Sequence, residues 1–205
     1  MALAEVPEPL VTALGAFAET LSMPWLERPP ACLLGGSCGL LLHGVGLNAA
    51  PQDIDLYADL EDAERLHDAL GRYAVSGPQE DYSGGCFSLR SCYSFGHASI
   101  ELICGFEIGH GSRKYSVDIE RLLAYAPVQY FTGIGLLRLM PAAHELIFNM
   151  LRGKSERCEC IAAYLRHNLS DHLPLLQSLI LDNGLDLSFQ LKLNQMLGVP
   201  PLIQT

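Results

Sequence analysis

The feature that most constrains this chain is a pair of aspartates one residue apart, Asp53 and Asp55, in a segment where polar and apolar residues alternate over residues 53–57. Such alternation predicts a β-strand, and side chains two residues apart lie on the same face, about 6.5–7 Å apart at Cα. Two carboxylates held this close repel each other unless a cation lies between them. Because hard oxygen ligands suit Mg²⁺, we expect Mg²⁺, or alternatively Mn²⁺, at this pair. The alternative interpretation is the solvated face of an edge strand.

A glycine-serine turn precedes the aspartates. Residues 31–34 are apolar and typical of a short buried strand, Gly35, Gly36 and Ser37 follow, and residues 38–45 predict a helix. Glycine lets the backbone approach a ligand closely and adopt positive φ, and the first amides of a helix favour an anion. The turn therefore predicts a phosphate-binding site, in which Ser37 caps the helix, donates to a phosphate oxygen, or does both.

A third acid, Glu101, lies in the otherwise apolar residues 98–104, which with residues 87–93 predict an antiparallel hairpin. A lone acid in an apolar strand is costly unless it is paired or binds a metal. If this strand lies beside that of Asp53 and Asp55, Glu101 supplies a third ligand, and three carboxylates can hold two metal ions. The alternative is a surface residue on a half-exposed strand.

Together, the glycine-serine turn, the acid-apolar-acid pair and the later acid resemble the signature of the nucleotidyltransferase superfamily. That superfamily includes polymerase β-like enzymes, antibiotic nucleotidyltransferases and abortive-infection toxins, and the resemblance covers residues 31–104. It implies an α/β (α+β) nucleotidyltransferase fold, with a mixed central sheet flanked by helices. It also implies that Asp53, Asp55 and Glu101 are the catalytic and metal-binding residues, with Glu101 acting as, or orienting, the general base for the acceptor.

A weaker similarity covers residues 139–147, which look like the strand-to-helix junction of the small-molecule and abortive-infection toxin-like branch. The helix there usually carries a Lys, where this chain has Asn149, and Arg157 and Cys160 stand where acids are expected. Lys154 is kept roughly where a basic residue is expected. The nucleotide-binding residues implied by the resemblance are Gly35, Gly36, Ser37 and Lys154.

The predicted secondary structure changes near Met140, from mixed strands and helices before it to helices alone after it. Residues 1–140 are predicted to form the nucleotidyltransferase α/β domain, and residues 141–205 a C-terminal helical region that shapes the acceptor site or a homodimer contact. Within the first part, apolar periodicity predicts helices over residues 9–21 and 60–70 and short strands over 128–131 and 136–139. Within the second, it predicts helices over 141–152, 156–167, 171–181 and 185–197.

Charge and hydropathy exclude some classes of protein. The formal net charge is -10, which argues against a protein that coats duplex nucleic acid, although a local basic groove remains open. No apolar run reaches the roughly 20 residues that span a bilayer, and the N-terminus lacks the features of a secretion signal. The seven cysteines are odd in number and lack C-x-x-C spacing, which favours reduced thiols. We therefore expect a cytoplasmic protein.

The resemblance implies an enzyme that transfers a nucleoside monophosphate from a nucleoside triphosphate to a hydroxyl acceptor and releases pyrophosphate. One alternative is a catalytically weak or inactive nucleotide-binding or regulatory module of the same fold, since the Lys is missing near Asn149. A Rossmann-like dinucleotide binder is disfavoured because G-x-G-x-x-G is absent. The base preference stays open, and so does the acceptor: a small molecule, or less favourably a transfer RNA end or a protein.

Overall fold

The computed structural model describes residues 6–22, 30–110 and 113–203. Its strands are β1 (Leu33–Gly35), β2 (Ile54–Ala58), β3 (Ala74–Asp81), β4 (Cys86–Phe95), β5 (Ala98–His110), β6 (Arg113–Ser116), β7 (Val128–Phe131) and β8 (Gly135–Arg138). Its helices are α1 (Glu8–Leu21), α2 (Gly36–His43), α3 (Ala63–Leu70), α4 (Ile119–Leu122), α5 (Ala142–Leu151), α6 (Ser155–Leu165), α7 (Leu169–Asp182) and α8 (Leu187–Leu197). None of these helices is long and apolar enough to span a membrane.

Six of the described strands form one mixed sheet in the order β1-β2-β5-β4-β3, with β6 paired to the far part of β5. Strand β2 is antiparallel to β1 and parallel to β5, while β5 is antiparallel to both β4 and β6. Strands β7 and β8 form a separate antiparallel ribbon. The predicted mixed sheet is confirmed, and its topology excludes the doubly wound parallel sheet of a dinucleotide binder.

Alternate residues of the central strands enter two different cores, because successive side chains in a strand point to opposite faces. Leu34, Leu56 and Leu102 pack with α1 and α3 on one face. Their neighbours Leu33, Tyr57 and Ile103 pack with α5 to α8 on the other face. By the same alternation, Gly35, Asp55 and Glu101 face the α5 side of the sheet, so any site they form lies between the sheet and the C-terminal helices.

All described elements after Met140 are helices, and the core on the α5 side joins residues from both parts of the chain. Helix α5 is buried along nearly its whole length, from Ala142 to Asn149. The backbone also crosses this point, since the Met140 amide donates to the Leu34 carbonyl at 2.8 Å. The division into residues 1–140 and 141–205 stays a prediction.

The observed elements differ from the predicted ones mainly in the first half of the chain. Helix α2 begins at Gly36, two residues earlier than predicted, and β1 extends through Gly35. The hairpin of β4 and β5 is confirmed, with a tighter turn at Gly96 and His97 and longer strands than predicted. Strands β3 and β6 and helix α4 are not predicted by the sequence pattern.

Candidate active site

Strand register places the predicted motifs side by side. Gly35 on β1 is paired with Asp55 on β2, and Asp55 is paired with Glu101 on β5. Because β2 and β5 are parallel neighbours, the two acids lie at the same level of the sheet and on the same face. Helix α2 begins directly beside them, at Gly36. The sequence argument required the Glu101 strand to lie beside the Asp53–Asp55 strand, and it does.

These motifs open into one cavity of about 580 Å³ between the sheet and the junction of α5 and α6. A larger cavity, of about 770 Å³, lies on the other side of the sheet and contains none of the predicted residues, so size alone does not identify the site. Gly35 is the predicted site residue that does not line the smaller cavity. The predicted residues on its wall are Gly36, Ser37, Asp53, Asp55, Glu101 and Lys154.

Close contacts exclude a side chain at both glycines of the turn. Gly36 has φ +61, and a Cβ added to it would lie 1.8 Å from Oδ2 of Asp55. A Cβ on Gly35 would lie 2.8 Å from Oε1 of Glu145 and 2.8 Å from the ring of Tyr57. Real Cβ atoms do not approach other atoms so closely, so the packing of the acids against this turn requires glycine at both positions.

The amide at the start of α2 already has a partner. The Gly36 N–H donates to Oε1 of Glu145 at 2.8 Å. A carboxylate there interacts favourably with the positive end of the helix dipole, as a phosphate would. A side chain of the protein thus occupies the amide that the sequence assigned to phosphate, and phosphate binding at the turn stays a prediction.

Ser37 does not cap the helix. The N-terminus of α2 has no side-chain cap, and the Ser37 hydroxyl instead accepts a hydrogen bond from Nη2 of Arg157 at 2.7 Å. The capping interpretation is therefore wrong, because Gly35 occupies the N-cap position. Ser37 and Arg157 both line the cavity, and their contact places a fixed cation beside the turn. Phosphate binding by Ser37 stays a prediction.

The electrostatics of Asp55 fit a cation. Burial, together with the negative charges of Asp53 and Glu101, raises the pKa of Asp55 to about 6 against the opposing effect of Arg157 and Arg152. A carboxyl group in that position holds a proton more readily than usual because it is withdrawn from water and because its neighbours repel its negative charge. A divalent cation would relieve this repulsion, so Asp53 and Asp55 are suited to hold Mg²⁺ or Mn²⁺. Their role as ligands stays a prediction.

Glu101 already has a charged partner in the structure. Its Oε2 is ion-paired with Nη2 of Arg90 at 2.5 Å, and Nη1 of Arg90 contacts Asp81 at 2.9 Å. In the described part of the chain, no group of three or more His, Cys, Asp or Glu side chains is arranged to hold a metal ion. The charge of Glu101 is thus met by a cation of the protein itself, and its role as a third metal ligand stays a prediction.

The sequence interpretation missed two buried polar side chains on α5, next to the turn. Glu145 and Asn149 are 2% and 1% exposed, and Nδ2 of Asn149 donates to Oε2 of Glu145 at 3.0 Å. Burial raises the pKa of Glu145 to about 7. The signal was present, since Glu145 is the sole acid of a helix that is mostly apolar. The argument that drew attention to Glu101 applies equally here.

The mouth of the cavity is basic although the chain as a whole is acidic. Arg152 and Lys154 are exposed at the junction of α5 and α6, and Arg157 is half-buried on α6. The Arg152 guanidinium also lies 5.2 Å from the centre of the Phe148 ring, which limits its freedom. Three cations thus face the acids across one cavity, an arrangement suited to a ligand that carries several phosphates and a metal ion.

Comparison with solved structures identifies the fold. A protein of Thermotoga maritima provisionally described as a nucleotidyltransferase aligns with a TM-score of 0.60 at 15% sequence identity, over 80% of this chain and 96% of that one. ANT(2″)-Ia with adenylyl-2″-tobramycin aligns with a TM-score of 0.47 at 11% identity, over 83% and 96% of the two chains. The lincosamide antibiotic adenylyltransferase LnuA with lincomycin aligns with a TM-score of 0.40 at 11% identity, over 70% and 86%. No family model and no curated protein matches the chain. The first alignment confirms the predicted nucleotidyltransferase fold.

Proposed function

We propose that this chain, which has a nucleotidyltransferase fold, transfers a nucleoside monophosphate from a nucleoside triphosphate to a hydroxyl acceptor. The observation that carries the proposal is the shared cavity, whose wall combines the aspartate pair, the turn at Gly36 and Ser37, and a basic mouth. Each of these features alone is common in proteins. Their convergence matches the charge pattern of a metal-bound triphosphate.

The basic side chains and the turn would bind the phosphates. Ser37 and Arg157, already hydrogen-bonded to each other, would contact the β- and γ-phosphates. Lys154 and Arg152 at the mouth would neutralise the remaining negative charge of the triphosphate. The Gly36 N–H would donate to a phosphate only if its hydrogen bond to Glu145 breaks.

Asp53 and Asp55 would hold Mg²⁺, which when bound neutralises phosphate charge. The acceptor oxygen attacks the α-phosphorus and forms a new P–O bond. The bond from the α-phosphorus to the bridging oxygen breaks, and pyrophosphate leaves with that electron pair. The hydroxyl proton passes to a base or to water in the cavity. The residues of the chain act mainly by positioning and by electrostatics, as is usual for this chemistry.

A small hydroxyl compound is the acceptor that the cavity favours. The cavity volume, about 580 Å³, lies within the range of small-molecule sites. The apolar wall beside the acids, formed by Ile103, Phe106 and Phe148, offers a surface for a non-phosphate group. The net charge of -10 disfavours a transfer RNA, whose phosphates would meet repulsion outside the basic mouth.

The second candidate function is a nucleotide-binding module without turnover. Asn149 stands where a Lys is expected, and its neutral amide, which donates to Glu145, adds no positive charge to the cavity that it lines. The two candidates differ in a measurable way. An enzyme releases pyrophosphate when it is given a triphosphate, Mg²⁺ and a suitable acceptor, whereas a module binds the triphosphate and returns it unchanged.

The proposal is tested by replacing the aspartates. Titration calorimetry with each of the four nucleoside triphosphates and Mg²⁺ is expected to show binding that weakens about tenfold or more in Asp53→Asn and Asp55→Asn, since each removes a charged metal ligand. Asp171→Asn, an exposed aspartate on α7, serves as the control and should bind as the wild type does. Unchanged Mg²⁺-dependent binding in both cavity variants would show the proposal to be wrong. A pyrophosphate assay over a panel of hydroxyl compounds then separates the two candidates.

A further inference from the structure

Arg90 is held between two carboxylates at the edge of the cavity. It extends from β4, and its Nη2 contacts Glu101 on β5 while its Nη1 contacts Asp81 on β3. Asp81 is itself fixed by Ser83, whose amide and hydroxyl donate to it at 2.9 and 3.1 Å. A guanidinium whose two terminal nitrogens each contact a carboxylate has little freedom to rotate. Arg90 is therefore a fixed positive charge.

Register explains why this charge lies beside the aspartates. Asp55 and Glu101 are paired across β2 and β5, and Glu101 is paired with Cys92 on β4. Arg90 lies two residues from Cys92 and so shares its face of the sheet. The charged groups thus follow one line across the strands, in the order Asp55, Glu101, Arg90, Asp81. All four line the cavity.

The sequence alone predicts that Glu101 helps to hold a second metal ion, but the structure shows a cation of the protein at this carboxylate. The positive charge next to Glu101 comes from Arg90, at 2.5 Å. The arginine side chain is 39% exposed, so a ligand in the cavity can reach the guanidinium. A charge that is already in place needs no reorganisation when a substrate arrives.

We propose that Arg90, positioned by Glu101 and Asp81, supplies the second positive charge of the site in place of a second metal ion. The nucleotide then binds with a single divalent ion at Asp53 and Asp55, and Arg90 contacts its phosphates or the phosphate group in transfer. Glu101 acts through Arg90 and is a positioning residue. This inference rests on the proposed function and adds the number of ions and a binding role for Arg90.

The first test counts metal ions on the full-length wild type. The protein is titrated with Mn²⁺ in the presence of an ATP analogue that has a methylene group between the α- and β-phosphorus, and free Mn²⁺ is measured by electron paramagnetic resonance. A single bound Mn²⁺ per chain is the expected result. Two bound ions per chain would overturn the inference. Because this test uses no variant, it does not depend on how a substitution affects folding.

Two substitutions test the residues. In Glu101→Gln the new amide oxygen can still accept from Arg90, so Mn²⁺ affinity should change by less than about threefold, whereas loss of a true ligand would weaken it about tenfold or more. In Arg90→Gln the analogue should bind about tenfold more weakly while a single Mn²⁺ is retained, because a charge-assisted contact to phosphate is lost. A tenfold loss of Mn²⁺ affinity in the first variant, or unchanged analogue binding in the second, would overturn the inference.

Arg121 provides the matched control. It is ion-paired with Asp182 and is 41% exposed, close to the 39% of Arg90, but it lies outside the cavity. Arg121→Gln should leave Mn²⁺ count and analogue affinity unchanged, and thermal unfolding of each variant reports its folding. Asp55→Asn separates this inference from the proposed function: if that variant binds Mn²⁺ and analogue normally, the function fails as well. If it does not bind them but the wild type holds two ions, only the role of Arg90 fails.

Discussion

At Gly36, backbone conformation and a neighbouring carboxylate independently exclude a side chain. The residue has φ +61, and an added Cβ would lie 1.8 Å from Asp55. We therefore expect Gly36→Ala to lose stability by about 1–2 kcal/mol from the backbone alone, and to displace the Asp55 carboxylate as well. Mg²⁺-dependent nucleotide binding should fall by about tenfold or more, because the displaced group is a predicted metal ligand. Urea unfolding and calorimetry measure the two effects.

Gly133 separates the two causes. It has φ +84, and nothing lies within 4 Å of an added Cβ. Gly133→Ala should therefore show the backbone cost without any effect on nucleotide binding. If Gly36→Ala binds nucleotide as well as Gly133→Ala does, the contact between Asp55 and the turn has no role in the site.

Glu101 shows how far a single residue can be interpreted from sequence. The rule that an acid withdrawn from water must be paired or bind a metal applies to the partly buried Glu101, but it leaves two outcomes. The choice depends on Arg90, eleven residues away on β4 and on the same face of the sheet. The predicted hairpin already brings these two strands together, and the step missing from the sequence argument is the pairing of Glu101 with Arg90 across it. For Asp53, Asp55 and the glycine turn, adjacency along the chain was sufficient to predict a shared face or a close turn.

At the level of single elements, α5 supplies the buried side chain that contacts the glycine turn. Oε1 of Glu145 accepts a hydrogen bond from the Gly36 amide, and the buried Oδ1 of Asn149 has no hydrogen-bond partner among the described residues. Burial raises the pKa of Glu145 to about 7, with Asp55 adding to the effect and the Gly36 amide, Arg157 and Asn149 opposing it. The helix thus presents to the turn a carboxyl group that changes charge near neutral pH.

A pH dependence of stability follows from this pKa. The pKa of Glu145 is about 7 in the folded protein and 4.5 for an ordinary glutamate, so the folded protein holds this proton more tightly than the unfolded chain does. Its stability should therefore fall as pH rises from 4.5 to about 7. The difference corresponds to roughly 3 kcal/mol at about 1.4 kcal/mol per pKa unit. Glu145→Gln should remove this contribution, since its oxygen can accept from Gly36 and Oδ1 of Asn149 can accept from the new amide. Urea unfolding at several pH values measures it.

Glu156 serves as the control for that series. It is an exposed glutamate on α6, and Glu156→Gln should leave the pH profile of the wild type between 4.5 and about 7 intact. An unchanged profile in Glu145→Gln would mean that the buried carboxyl group is not responsible.

The elements that the sequence fails to predict lack the usual pattern for a physical reason. Strand β3 is mostly exposed, contains Gly77 and Pro78, and has two register shifts against β4. An edge strand that buries little has no need for alternating apolar residues. Strand β6 is four residues long and α4 is a single turn. The buried strands and amphipathic helices, by contrast, are predicted because burial imposes their periodicity.

On the scale of the whole molecule, charge is distributed unevenly. The net charge is -10, yet Arg152, Lys154 and Arg157 cluster at the mouth of the cavity. A triphosphate approaching elsewhere would meet repulsion, and one approaching the mouth would meet attraction over about the Debye length, roughly 10 Å at 0.1 M salt. The acidic surface and the basic mouth would together direct the proposed substrate to one place. Composition gives only the sum, so this arrangement was not predictable from it.

The boundary near Met140 separates two regions of different secondary structure that share one core. The core on the α5 side contains Leu33, Tyr57 and Ile103 from the sheet together with residues of all four C-terminal helices. The members contributed by those helices include Leu146, Ile147, Phe148, Leu165 and Leu176. Exposing these five side chains would cost on the order of 10 kcal/mol, which is comparable to the whole stability of a typical domain.

We therefore expect the fragment of residues 1–140 not to fold by itself. Without α5 it also loses the Glu145 partner of the Gly36 amide, so the turn of the active site loses its support together with the sheet. Circular dichroism and proton–nitrogen NMR should show little cooperative unfolding and poor dispersion, and co-expression with residues 141–205 as a separate chain should restore both. A fragment that unfolds cooperatively alone and binds nucleotide with Mg²⁺ would instead mean that the sheet face is stable without its helices, and that the cavity depends on residues 1–140 only.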